Sequence, residues 1–379
     1  IPAQQVVDLV LEAAGAVETI VLVSDHAEAS LRWAGNSMTT NGVSFSRSTT
    51  VISIVRQGDS AHVGSLETTE VDPALLPELV AASQAAARSA PAARDNFALP
   101  AGTTGPDDWD GPTPGTGAEV FGSLATELAR GFRGPDALYG FAHHTVETTF
   151  LATSTGVRRR WEQPTGSVEI NAKRDGASAW AGVSTPWFAE VDAEALLAEL
   201  STRLGWAART VELPAGRYET IMPPSTVSDM MIYLMWTMDG RGAQEGRTAL
   251  SAPGGGTRVG EKLTDLGLTL YSDPGAPGLA CEPFVAVGSS SETVSVFDNG
   301  LDIGRVDWIR DGVINALAYP RAAAREFGVP VAVPCSNLLM TGGSASTADM
   351  VAATERGLLS VAQTATQCRT VECCNDRFS

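Results

Sequence analysis

Four histidines, His26, His62, His143 and His144, are the only imidazoles in the chain, and none follows residue 144. A zincin sets two histidines one turn apart on a helix with a glutamate between them, so that two ligands and a base converge on one ion. No such string occurs here. His143 and His144 lie close to Glu147, a set that on a helix could serve a metal-dependent hydrolase. The run 145–155 is rich in β-branched residues, however, and neighbours on a strand point to opposite faces. One satisfied and one exposed histidine is the expectation.

Other chemistries find little support. Cys281 and Cys335 stand alone in the body of the sequence, whereas Cys368, Cys373 and Cys374 crowd its end. An odd count of five, with no secretory leader in view, argues against a disulfide framework. The terminal group lacks a fourth ligand and a nearby histidine, so it is not read as a zinc site. Gly254, Gly255 and Gly256 open a glycine-rich run that matches neither a Walker loop nor a dinucleotide fingerprint. It reads as a loop over a cleft or interface. The G-x-S-x-G nucleophile elbow is missing. Arg158-Arg159-Arg160-Trp161 reads as a solvated strand edge with an aromatic anchor. Met230, Met231, Met235 and Met238 are half of the eight methionines. The helix bearing them reads as a buried core helix, with an adaptable surface for a partner or an unfolded peptide as the alternative.

Composition narrows the class. Of 379 residues, 44% are hydrophobic and 18% charged, enough for a sizeable core. The formal net charge is -18, which disfavours a phosphate-binding surface, so no nucleic-acid partner is expected. The first fifteen residues look like an amphipathic helix rather than a targeting signal. The apolar stretch 230–238 falls far short of the roughly 20 residues of a membrane span. No membrane partner and a cytoplasmic location are expected.

The elements that must position these residues follow from periodicity and turn chemistry. Residues 1–88 read as an N-terminal α+β region. It has a helix over 2–14, strands at 19–23, 29–34, 43–56 and 60–68 with turns at Asn41-Gly42 and Gly58-Asp59, and a helix opened by Asp72-Pro73. Residues 89–117 are a Pro/Gly-rich loop in which Trp109 suggests local docking. Residues 118–208 complete the N-terminal domain. A helix at 116–132 comes first, then strands at 151–160, 168–173 and 177–183 with turns at 164–166 and Asp175-Gly176, then a helix over 192–206. Residues 209–359 read as a β-rich C-terminal domain with a strand at 217–222, a helix at 226–238 and a loop at 241–260. Short strands follow at 268–271, 285–287, 293–297 and 306–308. The expected fold class is α+β: an N-terminal antiparallel sheet with helices, then a C-terminal partial barrel or curved sheet.

Taken in order, several segments resemble the TldD/PmbA family, peptidase-like proteins also described as modulators of DNA gyrase. They are Leu31-Arg32-Trp33-Ala34-Gly35-Asn36-Ser37; Leu151-Ala152-Thr153-Ser154-Thr155-Gly156-Val157; Leu268-Thr269-Leu270-Tyr271-Ser272-Asp273-Pro274; and Asn337-Leu338-Leu339-Met340-Thr341-Gly342-Gly343, followed by Arg356-Gly357-Leu358-Leu359. The resemblance implies a heterodimer in which one subunit binds zinc through H-E-x-x-x-H on a helix. The other, PmbA/TldE-like subunit lacks that motif. Here the equivalent helix is Val227-Ser228-Asp229-Met230-Met231-Ile232-Tyr233-Leu234-Met235-Trp236, without histidine or glutamate. No catalytic, cofactor or metal residue is therefore carried over to this chain. Zinc is expected in the partner, a TldD-like subunit, and small peptides or unfolded segments as substrate. The loops 241–260 and 272–282 are the places to look for peptide or partner contacts, with Gly254, Gly255, Gly256 and Asp273 as candidates. A stand-alone homodimeric scaffold without proteolytic work is the alternative. Residues 360–379 depart from the family pattern and resemble a truncated or frame-shifted tail.

Overall fold

A long antiparallel sheet organises the first half of the molecule. The computed structural model of the chain describes residues 1–70, 72–102 and 105–360, together with the backbone of 371–373. The chain forms two compact units, Ile1–Ala93 with Ala101–Glu212, and Arg94–Pro100 with Leu213–Ser379. The fold class is α+β.

In the first unit, α1 (Ala3–Ala14) precedes β1 (Glu18–Trp33), β2 (Met38–Gln57) and β3 (Ser60–Thr68); α2 (Leu76–Ser89) and α3 (Gly122–Gly131) follow. Then come β4 (Ala137–Thr153), β5 (Arg158–Arg174), β6 (Ala177–Ser184) and α4 (Ala193–Ala207). The strands form one sheet in the order β3-β2-β1-β4-β5-β6, with every neighbour antiparallel. One face of it carries both cores. Val21, Val23 and Val51 pack under α1 and α2, while Leu31, Trp33, Leu138, Val168 and Ile170 pack with α3 and α4. The odd residues of β1 supply both clusters, as the two-residue period of a strand requires. Asp72 caps the turn leading to α2 through the Ala74 N–H, and Asp192 caps α4 through the Ala195 N–H at 2.8 Å.

Three sequence expectations are corrected in this unit. Residues 19–23 and 29–34 are one strand, β1, because its polar middle is paired on both sides, by β2 and by β4. Asn41-Gly42 is not a turn but lies within β2 opposite Leu31 and Ser30. The chain reverses instead at Gly35 and Asn36, both at positive φ, and the Asn36 side chain bonds the backbone at Asp136 and Leu138. Residues 164–166 likewise do not turn. Pro164 sits in β5 where β6 has not yet begun to pair, so its missing N–H costs no ladder bond on that side. Gly166 is there because a Cβ would come within 2.6 Å of the Phe188 ring.

The second unit is built from shorter pieces: β7 (Thr220–Ile221), α5 (Pro224–Trp236), α6 (Gly240–Gln244), β8 (Thr269–Ser272), β9 (Val306–Arg310), β10 (Val313–Ile314), α7 (Arg321–Phe327), β11 (Leu339–Thr341), α8 (Thr347–Ala353), β12 (Leu358–Ser360) and β13 (Val371–Cys373). A four-stranded antiparallel sheet, β10-β9-β8-β11, backs a core of Met238, Leu270, Trp308, Ile314 and Tyr319. The turn at Asp311-Gly312 has the paired positive φ of a tight hairpin. Residues 285–287 and 293–297 do not form strands. Their backbone is spent on local turns, with the Asn299 side chain holding both the N–H and the C=O of Val287. Residues 94–100 are stapled into this unit: Arg321 and Arg325 both lie over the Phe97 ring, and Arg321 donates to the Ala98 carbonyl at 2.9 Å. No helix among the described residues is long and apolar enough to cross a membrane.

Candidate functional site

Helix α5 starts from Pro223 and Pro224, whose fixed φ suits a first turn, and carries no side-chain cap. Its inner face, Met231, Leu234 and Met235, rests on the second unit's core. The outer face does not follow the sequence expectation of a buried helix. Met230, Ile232, Tyr233 and Trp236 are 40%, 46%, 49% and 69% exposed, and only Thr226 is buried. The correction has a simple cause: the helix is apolar all round over its last two turns, residues 230–236, and the unit supplies cover for one side only. Tyr233 and Trp236, one turn apart, pack edge to face at 5.2 Å and hold the outer surface in one shape. Asp229 is the helix's one carboxylate; its Oδ2 is buried without a hydrogen-bond partner among the described residues.

These residues do not fit a hydrolytic zinc, which takes three protein ligands and an open position. Nor do the histidines of the first unit assemble one. His144 is buried under Phe188 with Nδ1 2.6 Å from Thr116 Oγ1, and burial lowers its pKa. His143 pairs with Ser167 at 3.2 Å. The burial alternation along β4 groups His143 and Glu147 together and sets His144 apart from them. His62 meets the Ala90 carbonyl and His26 meets Glu28. The arginine cluster is also occupied internally: Arg160 pairs with Asp108 and Glu162, and Arg158 lies over Trp109, which itself packs on Phe150.

Immediately after α5, Asp239 caps α6 through the Gly242 N–H at 2.9 Å and positions Arg241. Arg241 is almost fully buried and pairs with Glu326 at 2.5 Å, with Glu245 and Glu292 at 3.5 and 3.6 Å. The Glu326 hydrogen bond raises the guanidinium pKa, and the same bond lowers that of Glu326. Arg94 and Arg247 extend the network through Glu245. Gly254, Gly255 and Gly256 all have positive φ, and open space surrounds each, so they are needed for backbone shape and not for close approach. Asp273 organises a turn: its Oδ1 accepts from the Gly275 N–H, while Asn337 bonds both its N–H and its carbonyl. The structure also brings together two loops that sequence reading left apart: Asn337 Nδ2 donates to the Leu279 carbonyl at 2.7 Å, and its Oδ1 accepts from the Cys335 thiol at 3.3 Å. Cys368 and Cys374 lie outside the described residues, as does the side chain of Cys373.

Comparison with known proteins matches this architecture. Residues 215–372 match the family model of the PmbA/TldA metallopeptidase C-terminal domain. The whole fold is similar to the crystal structure of TldE from Thermococcus kodakarensis, with 15% identity over 95% of this chain and 82% of that one and a TM-score of 0.72. Two proteins described as modulators of DNA gyrase are similar too. The one from Thermotoga maritima gives 14% identity, 94% and 82% coverage and a TM-score of 0.70; the one from Bacteroides thetaiotaomicron gives 15%, 95%, 81% and 0.69. No curated protein matches the sequence. Residues 215–372 thus carry the PmbA/TldA-type C-terminal domain, and the chain has the fold of these TldE and gyrase-modulator structures.

Proposed function

We propose that the chain is the non-catalytic, TldE-like subunit of a heterodimeric TldD/PmbA-type metallopeptidase that processes small peptides or unfolded segments in the cytoplasm. The observation that carries this reading is α5, which the family resemblance sets in the place of the zinc helix: it has no imidazole, yet it turns Met230, Ile232, Tyr233 and Trp236 outward. A helix freed from metal binding but still apolar on its outer side suits contact with a zinc-bearing partner. In this reading the zinc belongs to the partner, and the present chain shapes the chamber and holds the peptide. Strand addition is one means of holding it, because β3 covers only Thr49–Gln57 of β2. The outer edge of 38–48 has no strand partner among the described residues and exposes Val43 and Phe45.

The test is co-expression with a TldD-like subunit carrying H-E-x-x-x-H. The expected result is a stoichiometric complex, zinc in the partner alone, and cleavage of an unfolded peptide only by the mixture. Intrinsic cleavage by this chain with bound zinc would overturn the reading. A stable homodimer that ignores the partner would favour a stand-alone scaffold.

A further inference from the structure

Residues 94–100 belong to the second unit, although the rest of that unit begins at Leu213 and the family match at residue 215. Their groups are received one after another. Arg94 pairs with Glu245 at 2.5 Å, and the Asp95 carboxylate accepts from the Ser295 hydroxyl at 2.6 Å. The Phe97 ring has the Arg321 and Arg325 guanidinium groups over it, 4.5 and 4.6 Å from its centroid. The Ala98 carbonyl accepts from Arg321 at 2.9 Å, and Leu99 is buried. The receiving groups are themselves held in place. Ser295 is buried, and its Oγ accepts from the Phe297 N–H at 3.1 Å. Asp298, equally buried, accepts from the N–H and the Nε of Arg321 at 3.0 and 2.6 Å. Arg321 also donates to the Phe297 carbonyl.

We propose that residues 94–100 are a strap that clamps together three pieces of the C-terminal domain far apart in sequence: the end of α6 at Glu245, the 295–298 turn, and α7. Charge supplies the main reason. Arg321 and Arg325 lie one turn apart on α7, and like charges at that spacing repel. The negative face of one aromatic ring attracts both guanidinium groups and offsets the repulsion. With the strap released, the repulsion returns and Arg321 loses its bond to the Ala98 carbonyl. Ser295 loses the Asp95 carboxylate, a group that is costly to remove from a buried hydroxyl. Glu245 keeps Arg241 and Arg247 but loses its tie to the strap. The domain matched at 215–372 is therefore incomplete by itself, because part of its framework comes from the first half of the chain. This strap works in the same way whether or not α5 meets a partner.

The experiment is hydrogen–deuterium exchange by mass spectrometry on the full chain, comparing the natural sequence with Phe97→Ala. Peptides covering 240–247, 293–299 and 318–327 should exchange about ten-fold faster in the variant, as expected when one cooperative piece of a fold is loosened. Peptides from β1, β2, β4 and β5 should exchange at the original rate. Acceleration confined to 94–100 would overturn the proposal, since the segment would then be a passenger. Acceleration spread equally over the first unit would overturn it too, because the strap would then have no particular charge over the second. Should Phe97→Ala not fold, Phe97→Leu decides, as it keeps apolar bulk and removes only the ring. Faster exchange at 318–327 beside an unchanged first unit supports the strap, and exchange at the original rate throughout rejects it.

Discussion

Helices α4 and α5 are of similar length and both rich in apolar side chains, but they meet opposite fates. In α4, Leu196, Leu200 and Leu204 recur every four residues and are buried against the sheet, while Glu194, Glu199, Ser201 and Thr202 are exposed. In α5 the inner side is only half-buried, and the outer side carries an isoleucine, a methionine and two aromatic rings instead of charges. Apolar content therefore does not fix burial. A helix with a polar back is complete once docked, whereas one that is apolar all round leaves a surface still to be covered.

The contrast is broken most directly from the α4 side. Leu200 is 1% exposed in the larger core cluster of the first unit. Leu200→Ala should cost about 2–5 kcal/mol, the usual range for a large-to-small change that leaves a cavity. Urea unfolding followed by tryptophan fluorescence measures it. A cost below about 1 kcal/mol would mean that α4 is as loosely held as α5.

The α5 side should respond in binding rather than in folding. Replacing Tyr233 and Trp236 together with alanine removes the edge-to-face pair from a face that supports little of the fold. Association with a zinc-bearing TldD-like subunit should weaken about 100-fold, as expected when aromatic anchors are lost. Calorimetric titration of the two subunits gives the number. Unchanged affinity would remove this face from the interface.

A third test asks whether the base of α5 is held by charge. Glu326 and Glu245 both have pKa values below their ordinary 4.5 in the folded chain. Hydrogen bonds are the leading cause, from Arg241 to Glu326 and from Arg247 to Glu245. A depressed carboxylate stabilises fully above its unfolded pKa and loses that contribution as pH falls through the folded value. The thermal midpoint of this unit should therefore drop as pH falls below 4.5, and Glu326→Gln should flatten that slope. At pH 7 the variant should lose about 1 kcal/mol, because Glu326 is half exposed and Arg241 keeps Glu245 and Glu292. Differential scanning calorimetry across pH reads both effects.

The sequence made α4 legible because its leucines repeat at helical spacing, and it made the Gly58-Asp59 and Asp175-Gly176 turns legible because their residue types are specific to positive φ. It misplaced the reversal at Gly35 and Asn36, since Asn41-Gly42 carries the stronger local signal. The pairing of Val21 with Val51 and the stitching of Asn36 to β4 decide the register, and both are long-range. The lack of imidazole in the second half was plain from composition alone. Whether the methionine-rich helix faced the core or the surface was not, because a helix apolar on every side has no period to read. The joining of the 273–281 and 335–337 loops left no trace in spacing, since it depends on Asn337 gathering segments far apart in the chain.

The smallest effect bears on the same ambiguity. Ile232 is 46% exposed, so Ile232→Ser removes a side chain whose outer half already meets water. If the outer face of α5 contributes nothing to folding, the isolated chain should keep its stability within about 0.5 kcal/mol, the range of surface substitutions. The lower helix propensity of serine falls within that margin. Urea unfolding in the absence of any partner is the measurement. A loss near 2 kcal/mol would show that Ile232 is packed after all and that α5 differs from α4 only in degree. A null result beside a weakened complex would assign the outer face to binding, because the same side chain would then matter only when something covers it.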